Sequence, residues 1–73
     1  MDIPHLVKMA NQSGEFFSAY PDAELARQEI AGHLQRFWDP RMRNAICENL
    51  AQAEAEGLSP LVAAAVRTLA HQA

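Results

Sequence analysis

Midway along the 73-residue chain the sequence reads Arg36-Phe37-Trp38-Asp39-Pro40-Arg41-Met42-Arg43. Proline disfavours helical backbone at the residue before it, so Asp39 is predicted to end one helix and to cap the next. Pro40 then occupies the first helical position, where its missing N–H is not needed. The segment therefore predicts two helices that meet at a corner flanked by arginines.

Similar end signals recur toward both termini. Asp2 and Asp22 are predicted N-caps, and Ser59-Pro60 repeats the arrangement of Asp39 and Pro40. Gly57 can adopt the left-handed conformation that closes a helix. Together these signals predict four helices, at residues 3–19, 23–37, 40–54 and 60–70.

Apolar residues recur at three- and four-residue spacing and give each predicted helix one buried face. The faces comprise Ile3, Leu6, Val7, Ala10, Gly14 and Phe17; Ala23, Ala26, Ile30, Leu34 and Phe37; Met42, Ala45, Ile46, Leu50 and Ala53; and Leu61, Val62, Ala65, Val66 and Leu69. No alternating valine- or isoleucine-rich run predicts a strand. We expect an all-α fold, a single domain over residues 1–73 in which four short helices are joined by tight turns.

The length and cysteine content limit how the chain can be stabilised. A core of this size contributes about 3–5 kcal/mol of net stability. Cys47 is the only cysteine, so an internal disulfide is impossible, and the three histidines lie too far apart for a zinc-type pattern. We therefore expect stabilisation by helix packing, by a larger partner, or by self-association into a homo-oligomer.

Charge and hydropathy argue against two classes of protein. The net charge of −3 is unsuited to a general nucleic-acid binder, which needs an excess of Lys and Arg. No 18-residue apolar segment predicts a membrane span, and no basic stretch followed by an apolar run predicts a signal peptide. With its free cysteine, the chain is expected to be cytoplasmic.

No group of residues predicts an active site. The glutamates are scattered and fit solvated helix faces. Cys47 lacks a neighbouring lysine or histidine and is interpreted as packing rather than a reactive thiol. His33 is expected to be half exposed. Ser59 begins a helix, as the modified serine of acyl carrier proteins does, but it precedes the last helix and Pro60 follows it, so an N-cap explains it.

The segment from Arg36 to Arg43 is the candidate partner-binding site. It carries a net charge of +2, from three arginines and Asp39, so the rest of the chain carries −5. Arginine, tryptophan and methionine are enriched in protein–protein contacts. An internal role is the alternative: Phe37 and Trp38 would pack under the bundle, while Arg41 and Arg43 lie on the surface or pair with Asp39 and Glu48. The two interpretations do not exclude each other.

Four blocks of sequence resemble the delta subunit of NAD-dependent formate dehydrogenase. They are residues 6–12 (Leu-Val-Lys-Met-Ala-Asn-Gln), 16–17 (Phe-Phe), 37–43 (Phe-Trp-Asp-Pro-Arg-Met-Arg) and 57–62 (Gly-Leu-Ser-Pro-Leu-Val). Their order and spacing fit that family over nearly the whole chain. The block at 37–43 is the most specific of the four.

The resemblance implies a non-catalytic subunit of a cytoplasmic enzyme that oxidises formate. It further implies that the alpha subunit of that enzyme carries a molybdenum or tungsten bis-pterin guanine dinucleotide cofactor, and that electrons pass through iron–sulfur clusters and flavin to NAD. This chain has neither the cysteines nor the glycine-rich phosphate loop that such centres need. It is therefore expected to bind no cofactor and to support the alpha subunit.

Three other functions remain open at this point. A transient cofactor-insertion chaperone for the same enzyme would leave once the cofactor is in place. A helix-turn-helix regulator would use Arg41 and Arg43 on a recognition helix, against the acidic balance of the chain. An acyl carrier would bear phosphopantetheine on Ser59.

Overall fold

The computed structural model describes residues 2–71, and within that range the backbone forms five α-helices and no strand. The helices are α1 (Ile3–Phe17), α2 (Ala23–Phe37), α3 (Pro40–Glu48), α4 (Leu50–Ala55) and α5 (Pro60–His71). The all-α prediction is confirmed. The prediction of four helices is corrected to five.

The predicted helix starts are confirmed by their capping geometry. Asp2, Asp22, Asp39 and Ser59 each accept a hydrogen bond from a backbone N–H in the first turn of the following helix, at 2.8–3.3 Å. Gly57 has φ +100° and lies between α4 and α5. Local signals therefore set where most of the helices begin and how α4 is separated from α5.

The helix predicted at residues 40–54 is interrupted at Asn49, whose φ of −118° and ψ of 35° leave the helical region. The side-chain amide of Asn49 donates to the carbonyl oxygen of Ala45 at 2.8 Å, and its backbone N–H donates to the same oxygen at 3.1 Å. The side chain thus adds a second donor to the carbonyl that already accepts the helical N–H, a local hydrogen bond of the kind that weakens a helix. The chain consequently turns between α3 and α4.

The first helix ends two residues before its predicted end at residue 19. The N–H of Tyr20 donates to the carbonyl of Phe17 at 3.1 Å, which tightens the last turn. Pro21 follows, and a proline disfavours helical backbone at Tyr20.

Helices α2 and α5 make the most extensive helix–helix contact, at the centre of the molecule. Their inner faces supply four of the largest fully buried side chains, and Ile46 of α3 is the fifth. The four are Ile30, Leu34, Val62 and Val66. The core is thus mainly aliphatic, with Trp38 at 8% exposure as its one aromatic member among the described residues.

The predicted burial of Phe37 is wrong, because this side chain is 70% exposed. The buried row of α2 instead steps by four residues through Ala26, Ile30 and Leu34 to Trp38. The backbone becomes extended at Trp38, with φ −84° and ψ 140°, as the chain leaves the helix. The tryptophan therefore takes the place predicted for its neighbour.

Most of the other predicted buried positions are confirmed. Ala23 is exposed, contrary to prediction. Five side chains predicted as buried are half-buried and pack against the edge of the core: Phe17, Met42, Ala45, Leu50 and Leu61.

Two polar or small residues of α1 fix its position against α5, and only one of them was included in the predicted buried face. A Cβ built on Gly14 would collide with the Cγ2 of Val62, so the glycine permits the close approach of the two helices. The amide of Asn11 donates to the carbonyl of Gly57 and accepts from the N–H of Ser59, both at 3.0 Å. Asn11 thereby ties α1 to the loop before α5.

Candidate docking surface

The predicted contact segment, residues 36–43, divides into buried and exposed parts. Trp38 belongs to the core, and Met42 packs against it, half-buried. The guanidinium of Arg43 donates to the carbonyl oxygens of Gln35 and Trp38, at 3.1 and 3.2 Å. These three side chains of the segment hold the corner between α2 and α3 together. The internal interpretation agrees with this at Trp38 only, because Phe37 is exposed and Arg43 bonds backbone carbonyls instead of Asp39 or Glu48.

The corner itself is capped by a short polar cluster. A carboxylate oxygen of Asp39 accepts from the N–H of Arg41 at 2.8 Å and lies 3.8 Å from the Nε of the same arginine. Both side chains are largely exposed, so this ion pair is worth less than about 1 kcal/mol. Pro40 occupies the first position of α3, as predicted.

Arg36 and Phe37 lie on the outside of α2. The guanidinium carbon of Arg36 lies 5.9 Å from the ring centre of Phe37, within the range of a cation–π contact. The arginine also folds back over Gly32, where an added Cβ would lie 3.2 Å from its Nη1. Among the described residues, Arg36 forms no ion pair or hydrogen bond through its guanidinium.

Phe37 is the end of a continuous row of rings that crosses from α1 to α2. We call this row the aromatic surface; it consists of Phe16, Phe17, Tyr20, His33 and Phe37. Neighbouring ring centres are 4.9–5.9 Å apart. Three of the four contacts are edge-to-face, an arrangement that aromatic rings prefer.

The ends of the aromatic surface are its most exposed parts. Phe16 is 73% exposed and Phe37 is 70% exposed, and the half-buried Phe17 and His33 link them. Tyr20, also half-buried, contacts Phe17. Contiguous exposed apolar side chains of this kind mark contact sites more often than isolated ones do. Because the rings brace one another, little side-chain freedom remains to be lost when a partner covers them.

Sequence reasoning found the two ends of this surface but did not join them. The pair Phe16-Phe17 and the segment beginning at Arg36 were both singled out, yet Phe16, Tyr20 and His33 were not predicted contact residues. His33 is half-buried, as expected, and connects the two groups because it packs between Phe17 and Phe37. The four-residue spacing of His33 and Phe37 was the available signal.

Cys47 lies apart from the aromatic surface, half-buried on α3. Its sulfur is 3.9 Å from the carbonyl oxygen of Val66. Burial raises the pKa of the Cys47 thiol, with the positive charge of Arg43 acting in the opposite direction and the negative charge of Glu48 adding to the rise. A raised pKa keeps the thiol protonated at neutral pH and makes it a poor nucleophile.

A groove of about 590 Å³ borders Cys47 and is lined by side chains of α2, α3 and α5. Its polar lining includes Arg43, Asn44 and Glu48. Arg43 is already occupied by two backbone carbonyls. One of its polar side chains is therefore already engaged in holding the corner between α2 and α3.

Ser59, the candidate carrier serine, acts as the N-cap of α5: its Oγ accepts from the N–H of Val62 at 3.3 Å. In the part of the chain that the structure covers, no group of three His, Cys, Asp or Glu side chains is placed to hold a metal ion. Over the same residues, no helix has the length and apolar character needed to cross a bilayer.

Comparison with known proteins gives one match. The family model described as NADH-dependent formate dehydrogenase delta subunit FdsD matches residues 5–66. Neither a curated protein nor a solved structure matches the chain.

Proposed function

The chain belongs to the family of NADH-dependent formate dehydrogenase delta subunits, and we propose that it is a non-catalytic accessory subunit of a cytoplasmic formate dehydrogenase. The family match over residues 5–66, most of the chain, is the observation that carries this proposal. In the complex the chain binds the cofactor-bearing alpha subunit and supports its assembly or stability.

The physical basis of such support is selective binding to the folded state. A protein that binds the native alpha subunit, and not its unfolded chain, shifts the folding equilibrium toward the native form. The stabilisation of the alpha subunit grows with the free concentration of this chain relative to the dissociation constant of the complex. It reaches about 2.7 kcal/mol when that concentration is a hundred times the dissociation constant. Stabilisation of this kind requires no catalytic residue in this chain.

The redox centres of the parent enzyme belong, in this proposal, to other subunits. Those centres are the molybdenum or tungsten bis-pterin guanine dinucleotide cofactor, the iron–sulfur clusters, the flavin and the bound NAD. An iron–sulfur cluster takes several cysteine ligands, and this chain has one. In this proposal the chain therefore contributes a contact with the alpha subunit and no redox centre.

We assign that contact to the exposed part of the predicted segment together with the aromatic surface. Phe16 and Phe37 are two of the three large apolar side chains found exposed in the structure, and Arg36 adjoins Phe37. Aromatic residues and arginine supply much of the binding energy in protein interfaces. Trp38, Met42 and Arg43, which hold the corner between α2 and α3, are not part of this contact.

Purification from the native cell tests the proposal. With an affinity tag on this chain, we expect the alpha subunit to co-purify in a fixed ratio, and the recovered complex to oxidise formate with NAD. Mass spectrometry and metal analysis of the eluate give the ratio and the cofactor content. A tag on an unrelated small helical protein is the control.

Two outcomes would contradict an accessory subunit. Enrichment of cofactor-free alpha subunit, with the chain absent from active enzyme, would identify a transient cofactor-insertion chaperone. Recovery of DNA without the enzyme would identify a helix-turn-helix regulator. Against the regulator, the guanidinium of Arg43 is tied to the corner between α2 and α3 by two backbone carbonyls, which leaves Arg41 as the exposed one of the two arginines proposed to contact bases.

A further inference from the structure

We propose that the aromatic surface binds an acidic segment of the alpha subunit, in which an apolar side chain contacts Phe16 or Phe37 and an adjacent Asp or Glu pairs with Arg36. This inference rests on the proposed function, and it adds the place of contact and the chemistry of the partner.

Exposed apolar area is concentrated at this one place. Phe16 and Phe37 are each at least 70% exposed, whereas Leu25, the remaining large apolar side chain on the exposed surface of residues 2–71, is 42% exposed. The half-buried Phe17 and His33 lie between the two phenylalanines, so the apolar area is continuous. An apolar group of the partner at either end would therefore remove an exposed aromatic ring from water.

The surface is ordered before any partner arrives. Each ring contacts another at a centre-to-centre distance of 4.9–5.9 Å, and the helices carrying them are fixed by the core. Binding to a braced surface loses less conformational entropy than binding to mobile side chains. A short segment of the partner is consequently enough to give a specific contact.

The charge at the edge of this surface selects an acidic partner. The guanidinium of Arg36 adjoins Phe37 and has no carboxylate partner among residues 2–71. A carboxylate beside the apolar group of the partner can therefore form a bidentate pair with Arg36, partly shielded from water by the rings.

The same charge argues against a second copy of this chain as the occupant. In a two-fold dimer the surface would meet itself, because such interfaces use the same patch on both subunits. A dimer that brought the two Phe37 ends together would place two Arg36 guanidinium groups side by side, and neither has a carboxylate partner among residues 2–71 of its own chain. Like charges placed together in this way oppose association.

Binding measurements with the formate dehydrogenase purified without this chain test the surface. We expect the double variant Phe16→Ala, Phe37→Ala to weaken binding at least 30-fold, and Arg36→Glu to weaken it about tenfold while reducing the salt dependence. Leu25→Ala, which removes an exposed apolar group elsewhere on α2, is the matched control and should bind as the wild type does. Circular dichroism checks that each variant is folded.

A zero-length cross-link tests whether a carboxylate of the alpha subunit lies beside Arg36. An Arg36→Lys variant treated with a carbodiimide should form an amide with an Asp or Glu of the alpha subunit, identified by mass spectrometry. A Gln28→Lys variant carries the same amine at an exposed position of α2 and is the matched control. Wild-type chain, which contains Lys8, gives the background.

The possible outcomes separate the two proposals. If the wild type does not bind the enzyme, the proposed function fails and this inference fails with it. If the wild type binds and the Phe16, Phe37 and Arg36 variants bind equally well, the function stands and the surface assignment is overturned. If sedimentation shows a wild-type dimer that the phenylalanine variant abolishes, the occupant is a second copy and the acidic partner is overturned.

Discussion

The inner side of α2 and the aromatic surface use different kinds of side chain. The inner side packs aliphatic residues, including Ile30 and Leu34, against Val62 and Val66 of α5. The aromatic residues of the described chain, except Trp38, are half-buried or exposed. Aromatic side chains usually contribute strongly to protein cores. In this chain, aliphatic packing supplies the fold, and most of the rings are left for contact.

The adjacent residues Trp38 and Phe37 give the most direct test of this division. Trp38→Ala should lower the free energy of unfolding by about 3–5 kcal/mol, because it removes a core side chain. Phe37→Ala should lower it by less than about 1 kcal/mol, since only contacts with His33 and Arg36 are lost. Circular dichroism and urea denaturation measure both. Because a core of this size supplies about 3–5 kcal/mol in all, Trp38→Ala should be largely unfolded without urea, and Phe37→Ala should be folded. Equal losses would mean that the two rings do not have separate roles.

The two helical glycines extend the test to backbone packing. Gly14→Ala should destabilise the chain by about 1–3 kcal/mol, because the new methyl group collides with Val62 on the core side. Gly32→Ala is the matched control: its methyl group meets only the flexible guanidinium of Arg36. Higher helix propensity should make that variant more stable by about 0.5–1 kcal/mol. Thermal melts compare the two, and a Gly14 variant as stable as the wild type would contradict the close approach.

The hydrogen bonds of Asn11 test whether the packing of α1 against α5 is stabilised by apolar contacts alone. Asn11→Ala removes both hydrogen bonds to the loop before α5 and should cost about 1–2 kcal/mol of unfolding free energy. Asn11→Asp keeps the acceptor for Ser59 but not the donor to Gly57, so an intermediate loss is expected. Binding by either folded variant should match the wild type. Hydrogen exchange at Ser59 reports the contact directly.

The smallest effect is expected at Cys47. Its pKa is raised by burial in the folded chain, so the thiol ionises more readily when the chain is unfolded. Stability is therefore unaffected below the ordinary thiol pKa and falls as the pH rises through and above it. Denaturation between pH 7 and pH 10, about either side of that value, measures the slope, and Cys47→Ser should reduce it. A slope unchanged in the serine variant would assign the pH dependence to other groups.

Helix positions were largely predictable because their signals are local. A cap at Asp22 or a proline at Pro40 acts within one turn, and its effect can be recognised in the sequence. The interruption at Asn49 was missed because the sequence admits both a continuous helix and a helix that ends where the Asn49 side chain bonds the carbonyl of Ala45. Local pattern does not rank such alternatives.

The candidate surface was predictable only in part, since it depends on how helices pack. The sequence drew attention to Phe37 and Trp38 together, but the direction in which the chain turns after α2 determines which ring enters the core. The contact of Phe17 with His33 joins α1 to α2 and has no counterpart in sequence spacing. Contacts between helices depend on how all the buried side chains pack together, and local sequence spacing does not specify that packing.

The position of Trp38 provides a spectroscopic reporter that needs no label. It is the only tryptophan in the chain and is 8% exposed, so its fluorescence emission will be blue-shifted in the native protein and will move to longer wavelength on denaturation. A ligand that covers the neighbouring phenylalanine leaves the indole where it is. The emission spectrum therefore reports whether the chain is folded, independently of whether a ligand occupies the neighbouring surface.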